Sequence, residues 1–428
     1  MPSYDFEQVR SQLDQSEYYG DIRNTGWHGD AVYEKFSEAE YARRHKATRE
    51  KMAKLGLDCI IVPGGNNYRS MGQGLVWLTG HWDKRAMANY VVFPMEGDPT
   101  VFVAMGGSHA EAFRVAASVS DLRPPPNANF GVGIERRIKE LGLEESRIGI
   151  VNGISEGRAA ESIPARYYLH LVESLPKAEL VFVDKFFHEL FFRHSEEEVA
   201  FMRKAGALLD RAMEAMAKRA AVGVTEAQLE AAAVHAMMDG GGYPHLHIIA
   251  ITSMEKPNAV FGNPRPSLKA LKEGDIIVSE LGALYQGTSA QSGNPIVLGE
   301  PTPFVNDFFY EVVLPGYKLM EAALLPGNTL EDVRKAGGLY FREKGHQSRP
   351  LHIHCIDIVT DGPKMGPDWV HHDGYDEVLQ PGMAIMLEPC PITKDGNLGL
   401  FLGRTYIITE DGNECLSKYP LELTVVKP

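Results

Sequence analysis

Paired histidines are the first feature of this chain that could do chemistry. His352 and His354 stand two apart in the apolar run LHIHCIDIV, and His245 and His247 repeat that spacing in YPHLHII. Alternate side chains of an extended strand share a face, so His352 and His354 point one way and Asp357 the other. An imidazole changes charge near neutral pH, which suits it to moving protons during a reaction. His371, His372 and Asp373 fall in a polar stretch that reads as solvated loop. Cys355 and Cys390 read as small buried residues, because a reactive thiolate needs a polarising base within reach.

The elements around them indicate two domains. The chain has 428 residues, 44% of them hydrophobic and 23% charged, which is ordinary globular composition. A formal charge of −14 with no basic run argues against nucleic-acid or anionic-membrane partners. No apolar stretch approaches the roughly 20 residues that span a bilayer. The acidic start reads as neither signal nor transit peptide, and four scattered cysteines fit a reducing cytoplasm.

Residues 1–36 read as an irregular arm anchored by Tyr18, Tyr19 and Trp27. Ser37 with Glu40 predicts a capped helix that stops at Gly56. The runs LDCIIV, MANYVVFP, PTVFVAM, RIGIV and AELVFVD then alternate with helices, giving an α/β domain over 37–190. A capped amphipathic helix opens at HSEEEVAFM, a second follows Thr225, and another is expected from Asn328 to Gly345. Longer strands and Gly/Pro-rich turns make 191–428 an α+β domain with helix pairs on a bent antiparallel sheet.

In its order of motifs the chain resembles the creatinase, prolidase and aminopeptidase P family. The resemblance is carried by EAEYARRHKATREKMAKLGLDCIIV, HSEEEVAFMRKAGALLDRAMEAM, LKEGDIIVSELGALYQG, LLPGNTLEDVRKA, LQPGMAIMLEP and YIITEDG. It implies a pita-bread catalytic domain, a smaller creatinase-type N-terminal domain, and a homodimer. In that dimer the loop Asn66, Asn67, Tyr68 and Arg69 reaches toward a partner's site, where Arg69 would clamp a carboxylate or stack on an aromatic group.

Metallopeptidases of the family hold two metal ions with two Asp, one His and two Glu. Placed on that pattern, Glu280 falls on the first Asp and Gln291 on the second. His352 or His354 takes the His, Glu388 the first Glu, and Gly403 the second. A neutral amide and a bare glycine thus stand where both bridging carboxylates would neutralise the ion pair, so the dinuclear site is degenerate. The family's substrate-side His is also missing, with Gly262 and Asn263 near its place in VFGNPRPSLKALKEGD.

The resemblance leaves His352, His354, Glu388 and Glu280 as catalytic candidates. Gln291, Arg69, His245, His247 and Asn263 are the candidates for binding substrate. No cofactor is required by this set, although Glu280, His352 and Glu388 could hold a single divalent ion. Side chains that transfer protons without a metal-made hydroxide suit elimination or retro-aldol cleavage. The expectation is therefore a metal-independent lyase of a small organic substrate, aromatic ones included. A creatinase-like C–N hydrolase, a catalytically silent binding module and a mononuclear-metal peptidase relative stand as alternatives.

Overall fold

The structure is a computed structural model that describes residues 32–64, 73–81, 87–104, 113–126, 129–151, 162–183, 186–187, 189–348, 353–355, 364–365 and 377–428. Tyr18, Tyr19, Trp27, Arg69 with its neighbours Asn66–Tyr68, His352, Asp357 and His371–Asp373 lie outside these residues. The chain divides into two compact units, Met1–Phe187 and His188–Pro428.

In the first unit, β1 (Cys59–Pro63), β2 (Asn89–Pro94), β3 (Thr100–Val103), β4 (Leu122–Arg123), β5 (Arg147–Val151) and β6 (Glu179–Val183) form a mixed sheet ordered β4-β3-β2-β1-β5-β6. Its first three strands are buried along their whole length, which is why they read as unbroken apolar runs. The helix Glu38–Leu55 starts at Ser37, whose side chain accepts from the Glu40 amide, and ends at Gly56 with φ +65. Glu40 does not complete the expected box. Its carboxylate instead receives Arg43 and the buried Arg44, each at 2.7 Å.

The second unit holds β7 (Tyr243–Ser253), β8 (Asp275–Tyr285), β9 (Thr288–Gly293), β10 (Ile296–Leu298), β11 (Gln347–Ser348), β12 (Ile353–Cys355), β13 (Lys364–Met365), β14 (Ala384–Leu387), β15 (Pro391–Ile392), β16 (Gly403–Ile408), β17 (Asn413–Cys415) and β18 (Thr424–Val426). Ten of these make one sheet ordered β13-β12-β14-β16-β9-β8-β10-β18, with β7 beside β8 and β17 beside β16. Every pairing in it is antiparallel except β10 with β18.

The helices Glu196–Arg219 and Glu226–Asp239 pack together, as do Leu314–Ala323 and Leu330–Glu343. Capping boxes at Ser195/Glu198 and Thr225/Gln228 start the first pair. The Leu330–Glu343 helix is capped by Thr329 with Asp332, not by the expected Asn328. Asn328 turns back to donate to the Ala323 carbonyl at 2.9 Å, which leaves the capping position to its neighbour. Met202, Leu209, Met213 and Met216 of the first helix are buried in one hydrophobic core with Ile249, Ile251 and Ile277 of the sheet. Each such burial contributes roughly 1.5–3 kcal/mol. Glu226 fixes the second helix to β7 by accepting from the Ile251 amide and from the Ser267 amide and hydroxyl.

Candidate active site

The β8–β9 hairpin sets the register on which the site depends. Its two-residue turn, Gln286 and Gly287, has positive φ at both positions, 48° and 82°, as a tight antiparallel return requires. Gly282 therefore pairs with Gln291, and Glu280, two residues before Gly282, shares a face with both. Gly293 pairs with Gly403 on β16, Thr405 with Met386 on β14, and Met386 with His354 on β12. Following the pleat across five strands places Glu280, Gln291, Gly403 and His354 on one face. Glu388, just beyond the end of β14, joins them through its contact with His354.

That contact joins two of the catalytic candidates. His354 Nε2 lies 3.5 Å from Glu388 Oε1, and the two residues are 1% and 4% exposed. The other ring nitrogen, Nδ1, donates to the Cys355 carbonyl at 2.9 Å, since a carbonyl can only accept. Nε2 is thereby left to face the carboxylate. Gln291 is fixed through its backbone, whose amide donates to Thr405 Oγ1 at 2.9 Å. Its side-chain oxygen is buried and meets no donor among the described residues.

The two histidines of YPHLHII part company. β7 carries an extra residue between Pro244 and His247, and such a bulge breaks the alternation that would put both rings on one face. His245 comes within 3.3 Å of where a Cβ on Gly282 would stand, so that glycine admits the ring opposite Gln291. His247 turns to the helices, with Nδ1 3.5 Å from Glu230 Oε1. Asn263 spends its side-chain oxygen on the Arg265 amide at 3.0 Å, and its carbonyl on Ile249.

Three residues of this face were not anticipated as part of the site: Thr405, Met386 and Phe401. A Cβ at Gly403 would stand 2.6 Å from the Met386 methyl and 2.7 and 2.8 Å from the Phe401 ring. Ring and methyl thus fill the place from which a second bridging carboxylate would extend. Among the described residues no three His, Cys, Asp or Glu side chains converge in the manner of a metal site. The donors among the described residues do not fit a dinuclear centre.

A catalytic unit with paired helices on an antiparallel sheet, and its His and Glu candidates on one sheet face, defines the pita-bread class. Residues 200–410 match the model of "Metallopeptidase family M24", and the second unit belongs to that family. Among curated proteins, "Probable dipeptidase PepE" of Mycobacterium tuberculosis is 28% identical over 92% of this chain and 98% of its own length. An Xaa-Pro dipeptidase of Pyrococcus horikoshii is 26% identical over 66% of this chain and 82% of its own. The fold matches the crystal structure of a prolidase from Pyrococcus horikoshii, TM-score 0.71 at 21% identity, covering 89% of this chain and 99% of that one. It also matches an X-Pro aminopeptidase from Thermotoga maritima, TM-score 0.75 at 17% identity, over 90% and 99%.

These relatives overturn the expected metal-independent lyase, because both curated relatives are named for cleaving dipeptides, which is hydrolysis. The inference failed at a definite step. It took the loss of two metal-bridging side chains as a change of reaction, which that loss does not by itself require. No helix among the described residues is long and apolar enough to cross a membrane.

Proposed function

We propose that this chain hydrolyses a C–N bond in a small peptide-like substrate, in the manner of a creatinase-like hydrolase. The reading rests on the buried His354–Glu388 couple, 3.5 Å apart on the sheet face it shares with Glu280 and Gln291. In the proposed reaction Glu388 takes a proton from water as the oxygen adds to the carbonyl or amidine carbon. His354 Nε2 takes that proton from Glu388 and delivers it to the departing nitrogen, so the C–N bond breaks without a charged amide leaving. The unmet Gln291 oxygen accepts an N–H of the substrate, removing the roughly 1–3 kcal/mol cost of a buried orphan acceptor. His245 lines the same end, and Glu280 faces it from β8.

The names of the relatives support a dipeptide or dipeptide-like amide as substrate. By the same family resemblance the working form is a cytoplasmic homodimer. Sedimentation of fully active enzyme as a monomer would remove the dimer from the proposal. The test of the reaction is a panel of Xaa-Pro and other dipeptides, amidines and cyclic ureas assayed in 18O-labelled water. One labelled oxygen per cleaved bond is expected. Cleavage of panel members without label in the product would sink hydrolysis, and folded protein that turns over none of them would sink the substrate class.

A further inference from the structure

The middle of the candidate site is built from glycine. Gly293 and Gly403 face each other directly across β9 and β16. Residues with side chains at such a pair would raise two Cβ atoms about 4.5–5.5 Å apart above the sheet. Two glycines leave a flat notch instead, and the Phe401 ring lies in it. At Gly293 a Cβ would collide with that ring and with the Ser279 carbonyl, and at Gly403 it would meet the same ring at 2.7 Å.

The ring is held from above as well. Phe401 is 2% exposed, and Phe261 meets it edge-on with centroids 5.4 Å apart. Phe261 belongs to a segment bound down by the Ala259–Leu398 bridge and by the Val260 carbonyl, which accepts from Cys390 Sγ at 3.5 Å. The Met386 methyl is the tip of a flexible chain and yields readily, but a ring clamped between a glycine floor and a second ring does not.

We infer that Phe401 closes the second metal position of this chain by packing, so that the site excludes a metal pair sterically as well as by its missing ligands. Restoring the two carboxylates alone should then fail to restore the centre. This inference is independent of which C–N bond the enzyme cleaves, and its readout is metal content and stability.

The experiment compares wild type, Gln291→Asp/Gly403→Glu, and that pair combined with Phe401→Ala. Each is equilibrated with Co2+ and analysed for ions per chain, with circular dichroism to check the fold. The double variant should bind no more Co2+ than wild type, and the triple variant about one ion more. Equal gains in the double and triple variants, or a folded triple variant with no gain, would overturn the inference. Should the double variant not fold, Gly403→Ala, Phe401→Ala and their combination form a stability cycle. The combination should be more stable than the sum of the two losses predicts. Simple additivity would mean that the ring does not occupy the notch, and the inference would fall.

Discussion

Across the sheet the candidate site has two flanks and a centre, and they differ in kind. On one flank β12 and β14 lead to His354 and Glu388; on the other β8 supplies Glu280. Between them run β16 and β9, where a glycine pair, Gln291 and the Phe401 ring stand instead of carboxylates. Strands lie about 4.8 Å apart, so β14 and β8 are separated by roughly 14 Å of sheet. Among the described residues no three His, Cys, Asp or Glu side chains gather into a metal cluster. The comparison teaches that proton-handling groups and metal-holding groups of one site can be lost separately. The flanks kept polar chemistry while the centre became part of the core.

The sharpest way to break this division is at Glu388. Glu388→Gln keeps shape and removes the base, and turnover should fall by roughly 10²–10⁴ with the melting curve little changed. His354→Asn should fall in the same range, and in either variant an undiminished rate on any cleaved substrate would dismiss the couple. A centre that serves packing should behave in the opposite way. Phe401→Ala should lower stability by about 3–5 kcal/mol in denaturant titration while leaving the pH dependence of turnover in shape. A changed pH profile with unchanged stability would place the ring in the chemistry instead.

Elemental analysis gives an intermediate test: wild type should carry at most one divalent ion per chain after dialysis against excess metal. Two ions per chain would erase the distinction between centre and flanks. The smallest effect is expected in the first unit, which serves as a control. Burial pushes the Glu40 carboxyl up, but hydrogen bonds and charge from Arg43 and Arg44 outweigh this and hold it below its ordinary 4.5. A depressed folded-state value adds stability above pH 4.5 and loses it as pH falls through that lower value. Glu40→Gln should flatten this acid limb, with no effect on turnover.

Much of the architecture was legible because it is written locally. Ser195 and Thr225 announce helix starts by short-range chemistry, and the ordered motifs announce the class. The parts that escaped are those that depend on a single inserted residue or on packing. Nothing in YPHLHII reveals the bulge that sends His245 and His247 to different surroundings. Asn263 was read for its position, yet its side chain closes a local turn with Arg265. Gly403 was visible as a missing ligand, but its role as the floor under Phe401 exists only when β9 and β16 are paired. His352 and Arg69 lie outside the described residues, so the choice between the two histidines of LHIHC rests with the variants above.

Arg404, the residue after that glycine, is wholly buried and meets no carboxylate among the described residues. Its guanidinium donates to Ser292 Oγ, Asn294 Oδ1 and the carbonyls of Gly293, Gly403, Tyr419 and Pro420. A cation so placed is solvated by fixed dipoles in place of water, and two of them come from the segment that leads into β18. That segment acts as part of the charge's solvent shell. Shortening the protein before Tyr419 would remove two of the six acceptors around this buried positive charge, so the tail cannot be trimmed as an inert appendage.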